Sequence, residues 1–151
     1  MVAHMLAPSV VELEMAQRLA RRYARILNEF GYFTAEQLAD LNRSRAKNRV
    51  ALAHNWCKRR QVFTVPHPDK GVRELDVYPA FQFQNGKPIK AVQEVLETFD
   101  ESKAPWKLAL WFTSNNGALA DSARPVDLLV TDPAAIVEAA RHDVRGTSAA
   151  C

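Results

Sequence analysis

Glycine is scarce in this 151-residue chain, and its spacing is more telling than its number: the five glycines stand at 31, 71, 86, 117 and 146, never closer than fifteen residues. Phosphate cradles of the dinucleotide and P-loop types need two or three glycines within six to eight positions, so both are excluded. Only two cysteines occur, Cys57 and Cys151, and the four histidines are scattered, so neither a multi-ligand zinc spacing nor a disulfide scaffold is expected. No run of about 18 apolar residues and no leader-like N-terminus is present, which makes a cytoplasmic, non-membrane protein the expectation. No metal, no cofactor and no catalytic residue is expected.

Charge is the first positive signal. Residues 1–78 hold 13 Lys and Arg against 8 Asp and Glu, a balance of +5, whereas residues 79–151 hold 7 against 9, a balance of −2. Between Arg43 and Arg60 seven basic side chains stand without one acid. Such a run is either a solvated helix face or the footprint of a polyanion contact.

The order of elements around that run favours the polyanion. Ser9-Val10-Val11-Glu12 is a capping box that opens a long amphipathic helix over 9–30, closed by Gly31. Thr34-Ala35-Glu36-Gln37 is a second box, opening a short helix that ends near Leu41-Asn42. After a turn of about three residues Ser44 can cap a third helix, on which Ala46, Val50, Ala53 and Cys57 form one apolar stripe with Trp56 at its edge. Its other side carries Arg45, Lys47, Asn48, Asn55, Lys58 and Arg59.

Short helix, turn and polar-faced helix make a helix-turn-helix, whose second helix enters the major groove. In that geometry Arg45 would meet guanine and Asn48 adenine, while Arg49, Lys58, Arg59 and Arg60 would lie against phosphates. Beyond it the period drops to two: 62–65 and 72–78 form a β-hairpin wing around Pro66–Gly71, with Lys70 and Arg73 near the tip. His67 and Asp69 in that connection lack a neighbouring nucleophile and read as turn chemistry.

The second half reads as helices. Ile89, Val92, Leu96 and Phe99 recur one turn apart; Pro105 opens another helix; Pro125 and Pro133 open two short ones, the last capped by Asp132. The predicted class is therefore mainly α: a winged helix-turn-helix over 1–83, a small helical domain over 84–145 and a flexible tail over 146–151.

The stretch Pro105-Trp106-Lys107-Leu108-Ala109-Leu110-Trp111-Phe112, with Asn115-Asn116-Gly117-Ala118-Leu119, Arg124-Pro125-Val126-Asp127-Leu128-Leu129 and the closing helix 133–141, resembles the C-terminal toxin-binding domain of the Xre/MbcA/ParS antitoxin family. Residues 78–83 look like the lead-in to that domain, and the N-terminal part is closer to a MerR-like winged helix than to the Xre type. The resemblance implies a non-enzymatic antitoxin that binds and silences an NAD-degrading toxin of the RES type, represses its own operon through double-stranded operator DNA, and forms a homo-oligomer. It places Trp111, Asn115, Asn116, Arg124, Asp127 and Arg141 toward the toxin. On the residues alone, Trp106, Leu110 and Trp111 read first as core, and Arg124 with Asp127 reads equally as a local pair. The alternative function is a stand-alone winged-helix regulator whose C-terminal unit serves dimerisation or another partner.

Overall fold

The computed structural model describes residues 9–69 and 75–149. It is mainly helical, as the periodicity predicts, with a small sheet. Helix α1 (Val10–Phe30) starts on the Ser9 capping box, both halves of which form, and ends where the Gly31 N–H donates to Leu27. Strand β1 (Tyr32–Phe33) leads to α2 (Ala35–Leu41), again opened by its capping box, Thr34 with Gln37. Helix α3 (Ala51–Lys58), β2 (Val65–Pro66) and β3 (Asp76–Pro79) follow. The sheet is antiparallel in the order β1-β3-β2, with Phe33 opposite Tyr78 and Val65 opposite Val77.

A 3-10 turn at Ala80–Gln82 introduces a second hairpin, β4 (Phe83–Gln84) and β5 (Lys87–Pro88). Its two-residue tip is Asn85-Gly86, both at positive φ (54° and 76°), as a tight primed turn requires. The remaining elements are α4 (Lys90–Phe99), α5 (Pro105–Thr113), a 3-10 turn at Ala120–Ser122, α6 (Pro125–Leu128) and α7 (Pro133–Ala149). Prolines 105 and 125 stand at the first helical positions, where a missing N–H costs nothing. The Asp132 carboxylate accepts from Ala135, which makes it the cap of α7.

Two buried clusters hold these elements. In the larger, Val92, Val95, Leu96 and Phe99 of α4 pack along Ile136, Val137 and Ala140 of α7, with Leu108 and Phe112 of α5, Leu27 of α1 and Val65 and Val77 of the sheet. In the smaller, Leu38, Ala53, Trp56, Val62 and Tyr78 join α2, α3 and the opposite face of β3. Val77 and Tyr78 are neighbours in β3 and enter different clusters, because successive side chains of a strand point to opposite faces.

Three local expectations are corrected. The third helix begins at Ala51 and not after Ser44, so 42–50 form a connection longer than a three-residue turn, and Ala46 and Val50 are exposed rather than in the stripe. The cause is side-chain competition for the backbone: Ser44 Oγ accepts from Ala46 N–H, Asn48 Oδ1 from Val50 N–H, and Arg49 donates to the Ser44 carbonyl and to Asp40. The strand expected at 62–65 shrinks to 65–66, because the Phe63 backbone pairs instead with a side chain, Gln82. At the other end α7 is not short: it continues to Ala149 through most of the tail expected to be flexible.

Candidate functional site

Six of the seven basic side chains of the 43–60 run, all but Arg43, separate into two groups. Arg49 is engaged with Asp40 and the Ser44 carbonyl, and Arg60 with α4: its guanidinium donates to the Asp100 carboxylate (2.7 Å), the Asp100 carbonyl (2.6 Å) and the Leu96 carbonyl (3.3 Å). Arg60 thus satisfies free carbonyls at the C-terminus of a helix, where the dipole favours a cation. These two arginines, expected against phosphates, each have carboxylate and carbonyl partners within the fold.

Arg45, Lys47, Lys58 and Arg59 form the second group. All four are exposed, and among the described residues none makes an ion pair or a side-chain hydrogen bond. Arg45 and Lys47 precede the N-terminus of α3; Lys58 and Arg59 stand at its C-terminus. On the helix between them Ala53 and Trp56 face the core, while His54, Asn55, Lys58 and Arg59 share the outer face at i, i+1, i+4 and i+5. His54 is therefore an addition to the candidates: its i, i+4 spacing from Lys58 was the available signal. Asn48 lies outside α3, with Oδ1 used by Val50 N–H, so the expected adenine contact is not prepared there. Lys70 and Arg73 lie outside the described residues.

The half-buried Cys57 on α3 has its thiol pushed up by burial and, secondarily, by Asp76. Tyr78 behind it is pushed up to about 12 by burial, with Cys57 and Asp76 adding to the effect. Both groups are neutral near pH 7 and belong to the support of α3.

In the C-terminal half, the candidates gather around the α5–α6 loop. Asn115 Nδ2 donates to the Ser122 carbonyl (2.7 Å), and Asn116 Oδ1 accepts from Ala118 N–H (2.9 Å), so both asparagines shape the loop itself. Arg124 meets Asp127 through two hydrogen bonds (3.0 and 3.2 Å) and Glu29 of α1 through a third (2.9 Å), and it lies 5.3 Å from the Phe30 ring centroid. Both readings of the Arg124–Asp127 pair thus acquire a tie to α1. Trp111 is half-buried, edge-on to Phe99 and Phe112 at 5.2 Å each. Trp106 stacks on Tyr23 at 4.0 Å and donates Nε1–H to the Pro66 carbonyl (3.0 Å), linking α1, α5 and the sheet. Arg141 is exposed and lies 3.6 Å from Glu138, whose carboxyl is held below the usual range chiefly by its hydrogen bond to Arg145.

The basic face on α3 and the Asn115–Asp127 loop are separate surfaces, one bearing cations without carboxylate partners among the described residues and the other an internally hydrogen-bonded loop. Among the described residues, no helix is long and apolar enough to cross a membrane. Comparison with known proteins finds no matching family model, no matching curated protein and no matching solved structure.

Proposed function

We propose that the chain is an antitoxin-like protein: it binds operator DNA through α3 and its flanks, and it neutralises an NAD-degrading toxin of the RES type through the unit formed by α5, α6 and α7. The observation that carries the DNA half is the outer face of α3, where Asn55 stands with Lys58 and Arg59 while Arg45 and Lys47 flank the helix start, all four cations being uncommitted. The element order from β1 to β3, with β1-β3-β2 pairing, is compatible with a winged helix-turn-helix in which α3 would be the reading helix. On this reading Asn55 replaces Asn48 as the side chain that offers a paired contact to adenine.

Support for the toxin half is the likeness over residues 105–141 to the Xre/MbcA/ParS domain. The residues quoted for that likeness build one connected unit, helix, ordered loop and two helices, and its Asn115, Asp127 and Arg141 are exposed. A binding protein of this kind occupies a surface, performs no chemistry of its own and requires no cofactor.

The DNA half is tested by titrating labelled DNA from upstream of the gene at several salt concentrations. Four phosphate contacts give a slope of about 3 to 4 in log affinity against log salt, at about 0.9 per contact. Replacing Lys58 and Arg59 with alanine is expected to reduce that slope by about 2 on the same reasoning. Asn55→Ala is expected to narrow the difference between operator and unrelated DNA by about 1–3 kcal/mol. Binding that ignores salt and all three substitutions rejects α3 as the contact. The toxin half is tested by co-purification with the product of the adjacent reading frame.

A further inference from the structure

We infer that α1 carries a duplex-binding face of its own, built by Arg18, Arg21 and Arg25 on the far side of the sheet from α3, so that one chain holds two segments of double-stranded DNA. From Met15 to Asn28 the chain has four arginines and no acid, a second acid-free basic run beside the one at 43–60. All four arginines are exposed. Arg22 donates to the Ser114 hydroxyl (3.3 Å). Arg18, Arg21 and Arg25 have no ion-pair or hydrogen-bonding side-chain partner among the described residues, although Glu14 stands one turn before Arg18.

Helical spacing sets these cations against one another. Arg18 with Arg22 and Arg21 with Arg25 are i, i+4 pairs, and Arg18 with Arg21 and Arg22 with Arg25 are i, i+3 pairs; like charges one turn apart destabilise a helix. Tyr23, stacked on Trp106, and the buried Ile26 and Leu27 take the packed side of α1, so the arginines occupy its outer side. A polyanion lying along that side relieves the repulsion. Arg18 to Arg25 spans about 10 Å at about 1.5 Å per residue, close to the rise of about three successive phosphates on one strand of a duplex. Three guanidinium groups in a row therefore match a short stretch of DNA backbone, which they hold without reading its sequence.

The place of this row in the fold separates it from the face proposed for operator DNA. Leu27 of α1 belongs to the buried cluster on the Val77 side of β3, and Ala53 and Trp56 of α3 belong to the cluster on the Tyr78 side. The two helices thus lie on opposite sides of the sheet. Each helix is about 10–12 Å across with its side chains, so the two outer faces stand about 20 Å or more apart, and one straight duplex on α3 does not reach α1. The α1 face stands without α3; only its being the second of two rests on the α3 reading.

The test counts duplexes bound per chain, by sedimentation of the full chain at low salt with an excess of an unrelated duplex of about 12 base pairs, a little over one helical turn. Two duplexes per chain are expected, a ratio that is the same whether or not chains associate. Arg18→Ala with Arg21→Ala and Arg25→Ala is expected to leave one, with a thermal midpoint no lower than before, because alanine favours a helix and all three side chains are exposed. Lysine at the same three positions keeps two, since a phosphate attracts either cation. The site lost with alanine has a salt slope of about 2 to 3, at about 0.9 per contact. One duplex per native chain, kept by the triple alanine variant and lost with Lys58→Ala and Arg59→Ala, overturns the α1 face and leaves the α3 reading standing. One duplex, lost with the triple alanine variant and kept without Lys58 and Arg59, upholds the α1 face and overturns the α3 reading instead. Two duplexes that survive the triple alanine variant, or none bound by the native chain, also overturn the α1 face.

Discussion

At Gln82 a single side chain takes the place of a β-ladder. It is fully buried (0% accessible), and its amide donates to the Phe63 carbonyl at 2.9 Å and accepts from the Phe63 N–H at 2.8 Å, with a further contact to Pro79. Gln82→Leu would leave both Phe63 main-chain groups unpaired in the interior, at about 1–3 kcal/mol each. The expected loss of unfolding free energy in a denaturant titration is thus about 2–6 kcal/mol, larger than most single substitutions produce. Tyr78 offers a second residue-level measurement. Its hydroxyl ionises near 10 in an unfolded chain and at about 12 in the fold, so stability is complete below pH 10 and falls as pH rises toward 12. Two units correspond to about 2–3 kcal/mol, and Tyr78→Phe is expected to remove that part of the alkaline loss. Gln82 had no counterpart in the sequence reading, because its partner is the main chain of a distant residue and leaves no pattern of spacing. Arg49 and Arg60 were legible as charge but not as structure, since Asp40 and Asp100 reach them only in the folded chain.

At the scale of elements, what the chain announces locally is what it forms. The two capping boxes, the prolines that open α5 and α6, and the Asn85-Gly86 turn each act within four residues, and each stands where its residues put it. Thr34→Ala is expected to cost about 1 kcal/mol by removing the acceptor for Gln37 N–H, measurable as a lowered thermal midpoint. The start of α3 was not legible for the opposite reason: apolar spacing at 46, 50, 53 and 57 continues through a segment where Ser44 and Asn48 divert the backbone N–H groups. Period alone cannot distinguish an apolar residue that is packed from one such as Val50, 46% accessible, that is merely in phase. Cys57 gives an independent check on the packing of the inner face of α3. Half-buried, with its thiol pushed up by burial, it is expected to react with iodoacetamide more slowly than free glutathione at pH 8, and as fast once the fold is lost.

For the whole molecule, the division of charge into a +5 half and a −2 half follows the proposed division of labour, although α1 and the sheet share a buried cluster with α4, α5 and α7. Arg124 adds a tie between α1 and the loop proposed to meet a toxin. Glu29→Ala, which removes the α1 partner of Arg124, is expected to weaken capture of the toxin by a few-fold with DNA affinity unchanged, as binding assays with each partner would register. The most direct measurement of the proposed function is the NAD content of cells that express the product of the adjacent reading frame with and without this chain. NAD is expected to collapse when that product is expressed alone and to be preserved when this chain is present and co-purifies with it. Loss of NAD unrelieved by this chain would contradict the proposal.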